Sequence, residues 1–155
     1  MVKFFLLILM CGGLMACSTQ SDDVSVNSQE AAMLNTQLGL AYLKAGDSMH
    51  AKEKLLLALS QDPKLPEAQL AMGYYLQSVG DSTHAKTYYQ KALQLAPYSS
   101  RVKNDYGAFL CQTGDYTKAH QYLSEAAQDI HYLNQSMAVD NLKTCEKISS
   151  ALKEI

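Results

Sequence analysis

The chain contains no tryptophan, and it is poor in proline, phenylalanine and charge. Its 155 residues include three Pro, three Phe and 18% charged side chains, with a formal net charge of −2. Because no strongly basic face is available, a nucleic acid partner is not expected. The scarcity of Pro, together with recurring Leu, Ala, Lys and Gln, favours helices over sheet. We therefore expect an all-α protein of a single domain.

An apolar run at the N-terminus is too short to cross a membrane. It covers residues 4–16, whereas a bilayer core requires roughly 20 residues. Lys3 precedes it and Leu14-Met15-Ala16-Cys17 ends it, and this order resembles the signal peptide and lipobox of bacterial lipoproteins. We predict a signal peptide over residues 1–16. The resemblance implies that Cys17 becomes the acylated first residue of a lipid-anchored protein, and an ordinary secretory signal cut near Ala16 is the alternative.

Two features after the cysteine bear on localisation. The second mature residue would be Ser18, and the sorting pattern of bacterial lipoproteins passes Ser to the outer membrane. The resemblance thus implies an outer-membrane protein that faces the periplasm. Residues 17–28 are mostly polar and lack helical periodicity, so we predict that the acylated Cys is followed by a flexible tether.

The rest of the chain is built on an internal repeat with a period of 34 residues. The recurring positions are Gly-Asp at 46–47, 80–81 and 114–115, Ala at 51, 85 and 119, Ala at 58, 92 and 126, Gly at 39, 73 and 107, and Pro at 63 and 97. A Gly followed by Asp suits the end of one helix and the start of the next, because Gly adopts the left-handed C-cap conformation and Asp caps free amides. Small residues let the helices approach, while Leu38, Tyr42 and Leu55 are expected to fill the core.

This period, the kernel Leu38-Gly39-Leu40-Ala41-Tyr42 and the Ala…Ala…Pro ending resemble the tetratricopeptide repeat (TPR). The resemblance implies a TPR domain over residues 29–155, an α-solenoid of three helix pairs plus a C-terminal capping helix. The expected repeats are about 32–65, 66–99 and 100–133, with the capping helix at about 134–152. The expected first helices are near 30–45, 65–79 and 99–113, and the second helices near 48–61, 82–95 and 116–128.

No motif for catalysis or cofactor binding is present. The sequence has no Gly-rich phosphate loop, no Ser-centred nucleophile elbow and no paired acids with supporting groups. His50 and His84 occupy the same repeat position, but they lack metal-ligand spacing and are interpreted as a solvated pair. We therefore predict neither enzymatic activity nor a cofactor or metal.

In TPR proteins, peptides bind along the concave face that the first helices line. By position, the resemblance places eight residues there: Thr36, Leu40, Leu43, Leu70, Tyr74, Gln77, Asn104 and Ala108. Thr36 and Leu40 stand where the TPRs that clamp a C-terminal carboxylate have Lys and Asn, so an acidic tail is a poor ligand. The apolar members of the set instead indicate a groove for a helix or strand of a protein partner. The alternative is that some of them only pack within the fold.

After processing, two cysteines remain beyond the lipidation site. Cys111 is predicted in the first helix of the third pair and Cys145 in the terminal helix, one repeat later. These helices should be neighbours, and an oxidising periplasm permits a disulfide. We predict this bond, and two unpaired buried thiols are the alternative.

Several segments are similar to one family of TPR lipoproteins in particular. The run Asn-Asp-Tyr-Gly-Ala-Phe-Leu at 104–110 is the most specific, and residues 37–43, 51–52, 102–103 and 123–129 carry the rest. They resemble the type IV pilus biogenesis and stability lipoproteins called PilW or PilF, which act as pilotins or assembly factors for the pilus secretin. The resemblance implies a shortened member that binds secretin or another pilus assembly protein. A general TPR scaffold lipoprotein for envelope enzymes or outer-membrane assembly is the alternative.

Overall fold

The computed structural model describes the backbone of residues 21–152 and the side chains of residues 27–152. The predicted signal peptide and the lipidation residue Cys17 lie outside the described residues. Seven helices follow one another in the described part, which contains no strand: α1 Ser21–Lys44, α2 Ser48–Gln61, α3 Pro66–Ser78, α4 Ser82–Leu95, α5 Ser100–Gln112, α6 Tyr116–Gln128 and α7 Gln135–Ala151. Three helix pairs and a terminal helix form an all-α TPR solenoid, so the predicted fold class is confirmed.

Helix α1 begins earlier than the sequence predicted. The predicted tether extended to residue 28 and the first helix began near 30, whereas the structure starts α1 at Ser21. Residues 21–28 contain neither Pro nor Gly, so no helix-breaking residue stops the first helix of the first repeat from extending towards the N-terminus. The tether prediction is therefore wrong for residues 21–28.

The turns within the helix pairs have the geometry that the Gly-Asp dipeptides predict. Gly46, Gly80 and Gly114 have φ of 81°, 85° and 88°, in the left-handed region that Gly adopts without strain. Each following Asp accepts a hydrogen bond from the backbone N–H three residues later. The donor lies 3.1 Å from Asp47 and Asp81 and 3.4 Å from Asp115. Each Gly-Asp thus ends one helix and starts its partner.

Small residues allow the two helices of a pair to pack closely. A Cβ added to Gly39 would lie 2.6 Å from Leu55 Cγ, and one added to Gly107 would lie 2.8 Å from Leu123 Cγ. The repeated alanines of α2, α4 and α6 are fully buried, and Tyr89 and Phe109 fill the centre of the stack. Leu38, expected in the core, is 49% exposed, because it faces away from the helix partner that its neighbour Gly39 contacts.

Helix α7 packs on α6 and α5 and covers the end of the third repeat. Cys111 of α5 and Cys145 of α7 are joined by a disulfide, with Cα atoms 5.7 Å apart. Asn141 Nδ2 donates a hydrogen bond to Asn104 Oδ1 of α5 at 3.0 Å. His120 Nε2 lies 3.1 Å from Glu146 Oε1, which adds a polar contact from α6. The terminal helix is therefore fixed to the repeat before it, as a capping helix requires.

Candidate protein-binding groove

A small apolar cavity lies on the face formed by the first helices of the pairs. Its volume is about 260 Å³, and its lining residues come from α1, α3 and α5: Leu40, Leu70, Ala71, Tyr74, Arg101 and Asp105. Leu70 is buried and Leu40 is half-buried, so the floor is fixed by the core behind it. Tyr74 is 52% exposed at the same cavity. A large apolar ring beside a preformed hollow is the arrangement that anchors a partner's side chain.

A second and wider cavity adjoins the first along α5. Its volume is about 640 Å³, and it lies between the start of α5 and the turn that leads into α7. The lining includes Tyr98, Ser100, Tyr132 and Met137, together with the same Arg101 and Asp105 that line the smaller cavity. The two hollows therefore meet at these two charged residues. We call this combined surface the concave groove.

The charged pair at the junction is unevenly solvated. Arg101 is exposed, whereas Asp105, one helical turn later, is half-buried. Asp105 Oδ1 accepts a hydrogen bond from Asn104 Nδ2 at 2.9 Å. Burial raises the pKa of the Asp105 carboxyl, and the Asn104 hydrogen bond and the charge of Arg101 oppose this rise. The groove thus holds a carboxylate that has lost part of its hydration.

The far end of the groove contains a second, better satisfied carboxylate. Asp129 Oδ2 accepts a hydrogen bond from Ser100 Oγ at 2.5 Å, and its Oδ1 accepts one from the backbone N–H of His131 at 2.9 Å. These bonds hold the pKa of Asp129 below its usual value. Asp129 therefore closes the α6–α7 turn onto α5, and both of its carboxylate oxygens already accept a hydrogen bond within the fold.

The eight residues predicted to line the groove divide into two groups. Leu40, Leu70 and Tyr74 lie together in the smaller cavity. The other five do not line it: Thr36, Leu43, Gln77, Asn104 and Ala108.

Each of these five residues has a different environment. Thr36 is 2% exposed, and its Oγ1 donates to the carbonyl of Ala32 at 2.8 Å. Leu43 packs against the cluster around Leu55. Gln77 accepts a hydrogen bond from the Tyr89 hydroxyl and donates one to Gln112, both at 2.6 Å.

The last two lie on α5. Asn104 is 1% exposed, and it bonds Asn141 across the contact with α7. Ala108 is half-buried and lines neither cavity. Packing thus accounts for part of the predicted set, which is the alternative that the sequence left open.

Sequence reasoning missed Ala71, Arg101 and Asp105. A signal for two of them was present in the period, because Asp105 stands 34 residues after Ala71 and one residue after the predicted Asn104. The prediction placed Asn104 in the groove, but Asn104 is buried and the next residue, Asp105, lines the cavity. Adjacent residues of a helix point in different directions, so an error of one residue exchanges a buried position for a groove position. Only the orientation of α5 against α3 and α7 distinguishes the two positions.

The described residues show no feature of a metal site. Among residues 21–152, no group of three or more His, Cys, Asp or Glu is placed to hold a metal ion. His50 Nδ1 lies 2.6 Å from Asp47 Oδ2, and His84 Nδ1 lies 2.8 Å from Asp81 Oδ2. Each of these His side chains pairs with the Asp that caps its own helix, which explains why the two occur at one repeat position.

Comparison with known proteins agrees with the repeat and with the fold. The tetratricopeptide repeat family model matches residues 66–99, which are the second of the three repeats. Residues 66–99 therefore match a tetratricopeptide repeat, and the described helices form a TPR-like solenoid. A fold of this kind is typically a protein-interaction module. No curated protein sequence matches the chain significantly.

Two solved structures confirm the resemblance to the type IV pilus biogenesis family. PilF of Pseudomonas aeruginosa is 35% identical with a TM-score of 0.76, over 80% of this chain and 56% of that one. PilW, described as a widely conserved type IV pilus biogenesis factor, is 26% identical with a TM-score of 0.73, over 77% of this chain and 55% of that one. The chain thus spans little more than half the length of these relatives.

A more distant structure shares the fold alone. The type III secretion chaperone SycD of Yersinia enterocolitica, solved in complex with a peptide of the translocator YopD, is 15% identical with a TM-score of 0.63. The match covers 77% of this chain and 95% of that one.

Proposed function

We propose that the protein is an outer-membrane lipoprotein that binds a protein of the type IV pilus assembly machinery through its concave groove. It assists secretin assembly or pilus stability and catalyses no reaction. The observation that carries the proposal is the preformed cavity of Leu40, Leu70 and Tyr74, in a chain 35% identical to PilF. The partner's identity rests on that similarity, and the mode of binding rests on the cavity.

The groove is suited to recognition because its parts are held rigidly. Leu70 belongs to the core cluster around Tyr89 and Phe109, so a ligand meets a wall that is already packed. The wall at the far end is fixed through the attachment of α7 to α5. A preformed site avoids the entropy cost of ordering loops on binding, which leaves more of the contact energy for affinity.

Membrane attachment is the second part of the proposal. The acyl chains on Cys17 would hold the protein at the inner leaflet of the outer membrane, and several chains give stable anchoring. Three residues of sequence separate Cys17 from Ser21, where α1 begins. The anchor would thus lie next to the start of α1, and Leu40 at the groove would lie roughly 30 Å further along the same helix.

The direct test is affinity capture of the full acylated chain from detergent-solubilised outer membranes of cells that make type IV pili. We expect the wild type to recover secretin or another pilus assembly protein, and Tyr74→Ala to recover several-fold less. Leu56→Ala is the control, because Leu56 is 50% exposed on α2, away from the groove. Circular dichroism checks that both variants stay folded.

The outcome separates the two functions considered from the sequence. Groove-dependent recovery of envelope enzymes or outer-membrane assembly factors, without pilus proteins, would assign the protein to the general scaffold class. Equal recovery by the wild type and Tyr74→Ala would exclude the groove as the binding surface.

A further inference from the structure

The feature that the proposed function leaves unused is the charged junction of the two cavities. Arg101 and Asp105 both line the apolar cavity of Leu40, Leu70 and Tyr74. When an apolar side chain of a ligand occupies that cavity, the ligand residues beside it lie within reach of Arg101 and Asp105. The junction will thus select which charge accompanies the apolar side chain.

Arg101 and Asp105 differ in how favourably each would form an ion pair with a ligand. Arg101 is exposed and keeps its hydration, and its long side chain can rotate away. Asp105 is half-buried, has a short side chain, and is held by the hydrogen bond from Asn104 Nδ2. In the described part of the chain Asp105 forms no ion pair with any Lys, Arg or His. A cation from a ligand would restore the stabilisation that burial removed from this carboxylate.

Tyr74, at the same cavity, also favours a positively charged ligand. Tyr74 is largely exposed there, and the face of a tyrosine ring attracts ammonium and guanidinium groups. A carboxylate on the ligand would gain nothing from the ring and would be repelled by Asp105. Arg101 has the opposite effect on ligand charge, but it is exposed, so water and salt screen its charge more than that of half-buried Asp105. Charge complementarity at the junction therefore favours a basic ligand.

Resting on the proposed function, we propose that the concave groove recognises a peptide segment of the partner in which an apolar side chain and a Lys or Arg lie close together in sequence. The apolar side chain enters the cavity of Leu40, Leu70 and Tyr74, and the basic group pairs with Asp105. Because both contacts lie at one cavity, the two ligand residues stand three or four apart on a helix or two apart on a strand. The wider cavity beside Tyr98 and Tyr132 accommodates the continuing segment.

The test is selection of random dodecapeptides from a display library on the full acylated chain in detergent micelles. We expect enrichment of Leu, Ile, Met or Phe together with Lys or Arg at one of these spacings. On Asp105→Asn the basic residue should no longer be enriched, while the apolar residue stays. On Tyr74→Ala binding of the selected peptides should fall by about tenfold or more.

Two further variants test the role of charge. A selected peptide should bind Asp105→Asn at least about tenfold more weakly, since the variant loses a charge-assisted hydrogen bond. Asp105→Glu should retain the basic preference because it keeps the charge. Glu53→Gln, on the exposed surface of α2, makes the same change in net charge away from the groove and should bind normally.

Three results would overturn the inference. Selection of acidic peptides whose binding is lost in Arg101→Gln would assign the junction to the opposite charge. If the selected peptides depend on Tyr74 but show no charge preference, Asp105 has no role in recognition, and the proposed function is unaffected. If no selected peptide depends on Tyr74, the groove does not bind peptides and the inference is wrong. The proposed function would still be tested separately by the affinity capture of pilus proteins.

Discussion

Cys111 and Cys145 are bonded to each other across α5 and α7, with their Cα atoms 5.7 Å apart. Met137 of α7 and the turn before that helix form one wall of the wider cavity, and both precede Cys145 in the chain. The bond therefore holds a wall of the groove against α5. It also fixes a terminal helix that has no further repeat packed on it within the described residues.

Removing this disulfide should weaken the end of the solenoid. Replacing both Cys111 and Cys145 by Ala opens a loop of 34 residues, and the chain-entropy model predicts a loss of about 3–4 kcal/mol in the free energy of unfolding. Urea unfolding of the wild type with and without a dithiol reductant, compared with the double variant, measures this loss. We also expect faster hydrogen exchange in α7 than in α3. Mass spectrometry that finds both thiols alkylated in non-reduced protein from the periplasmic side would contradict the prediction.

The close helix contact at Gly107 gives a second prediction. A methyl group there would lie 2.8 Å from Leu123 Cγ and 3.2 Å from the Leu123 backbone nitrogen. Gly107→Ala should therefore destabilise the protein by about 1–3 kcal/mol, although Ala is the better helix former by about 1 kcal/mol. Urea unfolding at a fixed pH measures the difference.

Gly73→Ala is the matched comparison. An added methyl there meets only the Tyr89 ring at 3.2–3.3 Å, so the cost should be smaller. If Gly107→Ala were as stable as the wild type, the packing of α5 on α6 would be looser than the structure shows.

The repeat made most of the fold predictable, because each repeated residue has a local physical role. Gly46 and Asp47 determine a turn and a cap through their own backbone conformation, and Cys111 and Cys145 were placed on neighbouring helices by the period alone. Features that depend on how helices rotate against each other were not predictable in this way. Leu38 fits the core pattern yet faces outwards, and Asn104 was assigned to the groove yet is buried against α7.

The buried carboxylate of Asp105 predicts a pH-dependent effect on stability. Burial raises its pKa in the folded state, so folding favours the protonated form. Stability from this group is therefore lost as pH rises from the ordinary value of 3.8 through the raised folded-state pKa, and ionised Asp105 opposes folding at neutral pH. Asp105→Asn should have a higher Tm than the wild type at neutral pH, and the difference should shrink as pH falls below 3.8.

Melting curves of both proteins across this pH range provide the measurement. The difference between the two proteins is the quantity to follow, because Asp47, Asp81 and Asp129 have lowered pKa values and act in the opposite direction. Glu53→Gln controls for the change in net charge. A lower Tm for Asp105→Asn at neutral pH would show that the charge of Asp105 stabilises the fold, through Arg101 or another group.

The last prediction concerns the anchor. Cys17→Ala removes the thiol that would carry the acyl chains. We therefore expect the wild type in the outer-membrane fraction, and the variant either soluble or retained in the inner membrane as an unprocessed precursor. Fractionation followed by intact mass measurement distinguishes these states, because acylation and cleavage both change the mass.

Cys11→Ala is the matched control: Cys11 follows Met10, a poor residue at a cleavage edge, so this variant should be processed and located as the wild type is. Complete recovery of Cys17→Ala with the outer membrane would contradict the lipobox interpretation, and the same shift in both variants would mean that the apolar segment, not acylation at Cys17, determines where the protein goes.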